Sequence, residues 1–215
     1  MPGGGYEFLA GDKEGSDWVP FLKSLGYTTA LLRYAVPPKS PDGPLNEVIE
    51  TMKYLRNTDN GWNVETGIIG VMGFSAGGHL AATAATHIKG DERPAFQVLY
   101  YPVITMEKKN THKGSRKNLI GKDPSQELID LYSNEKHVTA ETPPAYISWN
   151  NNDRTVPIIN SKMYIEALKS KGVPVHVKNY EKGGHGYSYR YYDEMIEDLT
   201  QWFISLNETL TEKSS

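Results

Sequence analysis

Short apolar runs alternate with amphipathic stretches along most of the chain. Runs rich in β-branched and aromatic side chains predict strands at residues 28–36, 67–72, 96–104, 145–149 and 173–180. Between them, helix formers and apolar positions three or four residues apart predict helices at residues 16–25, 45–55, 77–85, 157–171 and 192–203. Strands that alternate with helices of this length predict an α/β fold, with a mostly parallel sheet and helices on both faces.

One stretch interrupts this alternation. Residues from about 105 to 142 are polar and lysine-rich, with a single short helical pattern near residues 126–132. A segment of this kind is either a solvated insertion or a lid over a site. We therefore expect a single domain over residues 1–215 that carries this insertion or lid.

Composition narrows the classes of function. The 215 residues carry a net charge of −3 and no cysteine. Such a charge provides no basic surface for nucleic acid or for an anionic membrane. The lack of cysteine excludes disulfides, thiolate metal sites and cysteine nucleophiles. No apolar run approaches the roughly 20 residues that a membrane-spanning helix needs, so we expect neither a nucleic-acid nor a membrane partner.

The most informative motif is Gly73-Phe74-Ser75-Ala76-Gly77, between a predicted strand and a predicted helix. The pattern G-x-S-x-G in this context is typical of a nucleophile elbow, in which a sharp turn lifts a serine hydroxyl clear of the sheet. Ser75 is therefore a candidate nucleophile. The backbone N–H of Ala76, at the start of the helix, is a candidate donor to an oxyanion. A Gly-Ser-Gly turn without a catalytic role is the alternative.

A serine nucleophile needs a base, and the base needs an acid to orient it. In open α/β sheets such groups lie beyond the carboxyl ends of the strands. Asp153 follows the strand predicted at 145–149, and His185 follows the strand predicted at 173–180. Both therefore fit the order Ser, Asp, His. Alternatively, Asp153 caps the following helix and His185 is a turn residue.

The other histidines occupy positions that are more typical of structural or solvated side chains. They fall on the helix after the elbow, inside a strand, or in the polar segment, and are His79, His87, His112, His137 and His176. No histidine is paired with carboxylates at the spacing of a metal site. We expect neither a metal ion nor a cofactor.

The chain opens on three consecutive glycines, Gly3, Gly4 and Gly5. They form either a floppy terminus or a loop whose backbone N–H groups approach a ligand closely.

Three motifs in order carry a resemblance to a known family: Gly-Phe-Ser-Ala-Gly-Gly-His at 73–79, Asn-Asp-Arg-Thr-Val-Pro at 152–157 and Gly-Gly-His-Gly at 183–186. The chain resembles the α/β-hydrolase esterases over essentially its whole length, particularly the acetyl xylan esterase and feruloyl esterase-like group. The glycine-rich opening is similar to the oxyanion loop of that group. The resemblance implies Ser75 as nucleophile, His185 as base, Asp153 as orienting acid, and the N–H groups of Gly4, Gly5 and Ala76 as the oxyanion hole.

The chain departs from that group at its beginning. Relatives have strands before the glycine loop, including one between the strands predicted here at 28–36 and 67–72, and this strand has no counterpart. Either the chain is a fragment, or the two strands pair directly, or a partner molecule fills the gap. The exposed strand edge predicts a homodimer. The resemblance suggests a bacterial enzyme, periplasmic or secreted if a signal lies upstream.

Together these features predict a serine carboxylesterase acting on a small carbohydrate ester, with acetyl esters of xylan-derived oligosaccharides as the leading expectation. Tyr6, Trp149 and Tyr187 flank the candidate positions, and they either stack on a sugar ring or belong to the core. The alternatives are a feruloyl esterase, a peptidase of the prolyl-oligopeptidase type, and a hydrolase-fold protein that binds its ligand without turnover.

Overall fold

A parallel sheet forms the centre of the molecule. The computed structural model describes residues 1–57, 67–186 and 191–212, and side chains as far as residue 210. Within these residues, four strands pair in chain order, all in parallel. They are β1 (Val71–Phe74), β2 (Gln97–Tyr100), β3 (Ala145–Asn150) and β4 (Val175–Tyr180). Parallel neighbours require crossover connections, which the helices between the strands provide.

Seven α-helices lie in the described residues. They are α1 (Val19–Ser24), α2 (Gly43–Arg56), α3 (Ser75–His87), α4 (Lys113–Ile120), α5 (Gln126–Leu131), α6 (Ile159–Ser170) and α7 (Tyr192–Glu212). Most agree with the predicted helices to within a few residues. The helix predicted at 16–25 is instead a 3-10 turn, Ser16–Trp18, followed by α1, and the Ser16 side chain caps neither.

Helices cover both faces of the sheet, as predicted. Tyr146 of β3 donates a hydrogen bond to Asp198 of α7, with a distance of 2.9 Å. Gln97 of β2 pairs in register with Ala145, the neighbour of Tyr146 along β3, and accepts a hydrogen bond from Tyr164 of α6. Because consecutive strand residues point to opposite faces, α6 and α7 lie on opposite sides of the sheet.

The strand predicted at 28–36 is wrong. These residues form no strand, and β1 pairs only with β2 among the described strands. A cavity of about 640 Å³ lies between residues 28–32 and residues 68–72, and both stretches line it. A sequence with high β propensity forms a strand only where the backbone of a neighbouring strand can pair with it. Direct pairing, one of the three explanations for the gap, is therefore excluded.

The segment at 105–142 contains more structure than its composition predicted. It includes α4, which the sequence pattern did not indicate, and α5, which it did. Several of its polar side chains are buried and hydrogen-bonded. Asn134, for example, donates to the carbonyl oxygen of His79 and to the hydroxyl of Thr83, both at 3.1 Å. The segment therefore packs on α3 rather than extending into solvent.

The described residues contain neither a membrane-spanning helix nor a metal-binding cluster. None of their helices combines the length and the apolar character that crossing a membrane would require. In the same part of the chain, no group of three or more histidine and acidic side chains is arranged to hold a metal ion.

Candidate active site

Ser75 lies at the sharp turn between β1 and α3. Its φ of 53° is in the left-handed region, which a non-glycine residue adopts only where the surrounding structure enforces it. The flanking glycines make the turn possible. A Cβ on Gly73 would lie 2.1 Å from the carbonyl oxygen of Gly77, and one on Gly77 would lie 2.2 Å from that of Met1. The elbow geometry predicted from G-x-S-x-G is therefore present in the fold.

His185 approaches Ser75 from the loop that follows β4. The distance from its Nε2 atom to the Ser75 hydroxyl oxygen is 2.9 Å. Its ring also packs edge-on against Tyr101, with centroids 4.9 Å apart. The imidazole therefore has one nitrogen within hydrogen-bonding distance of the candidate nucleophile and an aromatic wall beside it.

Asp153 lies on the other side of the imidazole. Its Oδ2 atom is 2.8 Å from Nδ1 of His185, and its side chain is only 1% exposed. Its Oδ1 atom accepts the backbone N–H groups of Thr155 and Val156, at 2.8 and 3.0 Å. The carboxylate thus fixes its own turn with one oxygen and contacts the imidazole with the other. It does not cap the following helix, because α6 begins at Ile159 with Ile158 as its N-cap.

This row of contacts determines the tautomer of His185. An ionised carboxylate only accepts hydrogen bonds, so the neutral imidazole carries its proton on Nδ1 and donates it to Asp153. The lone pair of Nε2 then faces the Ser75 hydroxyl and can accept its proton. The structure brings the three predicted side chains together in the order that nucleophilic catalysis requires.

Two side-chain amides, of the buried Asn150 and the exposed Asn152, hold the His185 loop in place. The Asn150 side chain donates to the carbonyl oxygens of Gly184 and Gly186, at 2.9 and 2.6 Å. The Oδ1 atom of Asn152 accepts the N–H groups of Gly183 and Gly184, at 3.0 and 2.9 Å. The glycines around His185 therefore do not leave it loosely held, because side chains from the end of β3 fix the loop.

The glycine-rich opening lies directly against the elbow. A Cβ on Gly3 would lie 2.8 Å from the Cβ of Ser75. The backbone N–H of Gly3 donates to Oε2 of Glu14 at 2.7 Å, and the Tyr101 hydroxyl donates to Oε1 at 2.9 Å. The Glu14 carboxylate therefore connects the glycine loop to the aromatic ring beside His185.

The predicted oxyanion donors lie in this loop and in the first turn of α3. Gly4 and Gly5 have φ values of 130° and 67°, and the Asn118 side chain of α4 donates to the Gly5 carbonyl at 2.9 Å. Among the described residues, no hydrogen bond uses the backbone N–H of Gly4, Gly5 or Ala76. These groups are free to donate to a ligand, and their role as an oxyanion hole stays a prediction.

Of the three aromatic residues predicted to contact substrate, Tyr6 and Trp149 belong to the core. Tyr6 is 1% exposed and donates its hydroxyl proton to Nδ1 of His79, at 2.8 Å. Trp149 is 6% exposed, with its indole N–H bonded to Asn151. Neither presents an open ring face to a sugar, which agrees with the core alternative. Tyr187 lies outside the described residues.

His79 is part of the same buried arrangement. Its Nε2 donates to the carbonyl oxygen of Tyr132 at 2.8 Å, which leaves Nδ1 to accept the proton of Tyr6. Burial lowers the pKa of His79 to about 4, so the ring is neutral at physiological pH. The Tyr6–His79 pair thus fixes the glycine loop to α3.

Several residues that support the site were not predicted as site residues. Each has a polar side chain beside a loop of the site, and they are Glu14, His112, Asn118, Asn150 and Asn152. Only Asn150 and Asn152 lie close to a predicted site residue in the sequence, since they stand shortly before Asp153.

A parallel α/β sheet with a serine elbow and a histidine and an aspartate at its carboxyl edge is the arrangement of the α/β hydrolases. A profile of a family described as having the alpha/beta hydrolase fold matches residues 21–189. The chain therefore belongs to this family.

Individual relatives narrow the similarity further. The chain is 35% identical to an acetylxylan esterase of Xylanibacter ruminicola, over 96% of this chain and 45% of that protein. It is 30% identical to endo-1,4-beta-xylanase B of Butyrivibrio fibrisolvens, over 86% of this chain and 31% of that protein. Among solved structures, it is similar to an acetyl ester-xyloside bifunctional hydrolase from Caldicellulosiruptor lactoaceticus, with a TM-score of 0.89 and 32% identity, over 96% of this chain and 81% of that one.

The chain spans less than half of the length of the two curated relatives.

Proposed function

We propose that this chain is a serine carboxylesterase that removes acetyl groups from xylan-derived oligosaccharides. The observation that carries the proposal is the hydrogen-bonded row from Ser75 through His185 to Asp153. The choice of an acetyl ester is supported by the relatives, two of which are named as an acetylxylan esterase and an acetyl ester-xyloside hydrolase.

In the first half of the reaction, Oγ of Ser75 attacks the carbonyl carbon of the acetyl ester, and its proton passes to Nε2 of His185. Asp153 stabilises the resulting imidazolium. The negative charge on the carbonyl oxygen is received by the backbone N–H groups of Ala76 and of the glycine loop. The C–O bond to the sugar then breaks, and His185 gives the proton to the departing sugar oxygen.

In the second half, water attacks the acetyl-serine. His185 takes a proton from this water, and the bond between the acetyl carbon and Oγ breaks. The proton then returns to Oγ of Ser75, so acetate leaves and the free enzyme is restored. The proton transfers run through His185, whose two ring nitrogens lie within hydrogen-bonding distance of Ser75 and Asp153.

Acetate release from acetylated xylo-oligosaccharides tests the proposal. The protein and its Ser75→Ala variant are compared at equal concentration, after circular dichroism has shown that both are folded. We expect release by the protein and a loss of at least about 10⁴-fold in the variant. Equal release by both proteins would contradict the mechanism. Release of ferulate but not acetate from the corresponding esters would contradict the choice of acyl group.

A further inference from the structure

His112 immediately precedes α4 and caps this helix. Its Nδ1 atom accepts the backbone N–H of Ser115 at 3.2 Å and lies 2.8 Å from the Ser115 hydroxyl. Because Nδ1 acts as an acceptor, the neutral ring carries its proton on Nε2. Burial lowers the pKa of His112, and the charge of His185 lowers it further, although by less. The lowered pKa favours this neutral form.

The ring of His112 lies beside the glycine loop. A Cβ on Gly5 would be 3.6 Å from Cε1 of His112, an ordinary contact distance. Asn118, one and a half turns further along α4, donates to the carbonyl oxygen of the same glycine. The 105–142 segment therefore forms one wall of the candidate active site.

The Nε2–H group of His112 has no partner in the described structure. No hydrogen bond of the described residues uses this atom, although the residue is only partly buried. This donor belongs to a ring whose Cε1 atom borders Gly5 of the predicted oxyanion loop. It cannot replace His185 as the base, because its accepting nitrogen is occupied by Ser115.

We propose that His112 is a substrate-binding residue, whose Nε2–H donates a hydrogen bond to an oxygen of the sugar that carries the acetyl group. This inference rests on the proposed function. Hydroxyl and ether oxygens of a sugar are neutral acceptors, and a neutral imidazole N–H suits them without the cost of burying a charge. A small ester without a sugar has no group to receive this bond.

Two substitutions test the roles of the two ring nitrogens of His112 separately. His112→Asn keeps an oxygen near the position of Nδ1 and remains a good N-cap, but it removes the donor at Nε2. His112→Gln places an amide N–H near the position of Nε2. His137→Asn is the matched control, because His137 lies in the same segment and contacts the carbonyl oxygen of Asp130 and the ring of His87 instead.

The first readout is binding of acetylated xylo-oligosaccharide by calorimetry in the Ser75→Ala background. We expect His112→Asn to weaken binding about tenfold, the effect of one neutral hydrogen bond, and His112→Gln to restore part of it. The second readout is the ratio of kcat/KM for acetylated xylo-oligosaccharide to kcat/KM for 4-nitrophenyl acetate. We expect His112→Asn to lower this ratio about tenfold and His137→Asn to leave it unchanged.

Unchanged binding in His112→Asn would overturn the inference. So would an equal loss on both esters, which would assign His112 to supporting the glycine loop. If the protein hydrolyses 4-nitrophenyl acetate but neither binds nor deacetylates the oligosaccharide, the proposed substrate fails and the inference fails with it. That result is distinct, because it appears in the protein before any change at His112.

Discussion

The contact between Asp153 and His185 makes Asp153→Asn the most informative single substitution. The amide is almost the same shape as the carboxylate, and its oxygen can still accept the N–H groups of Thr155 and Val156, so the turn is retained. At the Oδ2 position, however, an NH₂ group would face Nδ1 of His185 across 2.8 Å. Two donors cannot pair, so the imidazole must turn its lone pair to Nδ1 and carry its proton on Nε2.

In that tautomer, His185 can no longer act as the base. Nε2 lies 2.9 Å from the Ser75 hydroxyl, and once protonated it can no longer accept the serine proton. We expect kcat to fall about 10⁴-fold, the size of effect known for this change of tautomer, which corresponds to about 5 kcal/mol in the activation free energy. Stability should change little, since the two backbone hydrogen bonds remain.

The assay is steady-state hydrolysis of 4-nitrophenyl acetate, with a thermal melt of each protein to show that it is folded. Asp193→Asn is the matched control, because Asp193 is exposed in the first turn of α7. It should retain full activity. An Asp153→Asn protein within tenfold of the unchanged chain would refute the reasoning, and so would an equal loss in the control.

Two further predictions concern stability and assembly. Burial lowers the pKa of His79 from 6.5 to about 4. Between these pH values, the unfolded chain therefore binds a proton that the folded chain does not. The contribution of His79 to the free energy of unfolding is complete above about pH 6.5 and falls by about 2 kcal/mol towards pH 5. Urea unfolding of the protein and of His79→Gln checks this, because an equal fall in both would contradict it. The second edge of β1, which no described strand covers, predicts a homodimer; sedimentation showing a monomer at high concentration would contradict that.

The order of the site residues could be predicted from the sequence because its signals are local. The turn at Ser75 needs glycine at both flanks, and the structure shows the backbone oxygens that a Cβ would meet there. Asp153 and His185 could be selected because each follows a strand, and parallel strands deliver their carboxyl ends to one edge. These are constraints that a few consecutive residues express on their own.

The contacts that hold the loops could not be predicted, because they join distant positions. Asn118 and Gly5 are 113 positions apart, and Tyr101 and Glu14 are 87 positions apart. No periodic pattern in the sequence indicates that two such distant residues are in contact. The strand predicted at 28–36 failed for a related reason: propensity is local, but a strand exists only where another strand is alongside it. There, a cavity occupies the place of a ladder partner.

The polar segment at 105–142 combines a local signal, its composition, with contacts to distant positions that the composition does not reveal. Its composition left a solvated insertion and a lid as alternatives. In the structure, the buried amide of Asn134 is hydrogen-bonded to His79 and Thr83 of α3, and His112 and Asn118 lie beside Gly5. A buried polar side chain costs free energy unless it is paired, so polar residues with partners inside the fold specify one arrangement of the loops. The lysines of the same segment remain on the surface and dominate its composition. Composition therefore described the outer side of the segment, while its inner side forms part of the candidate site.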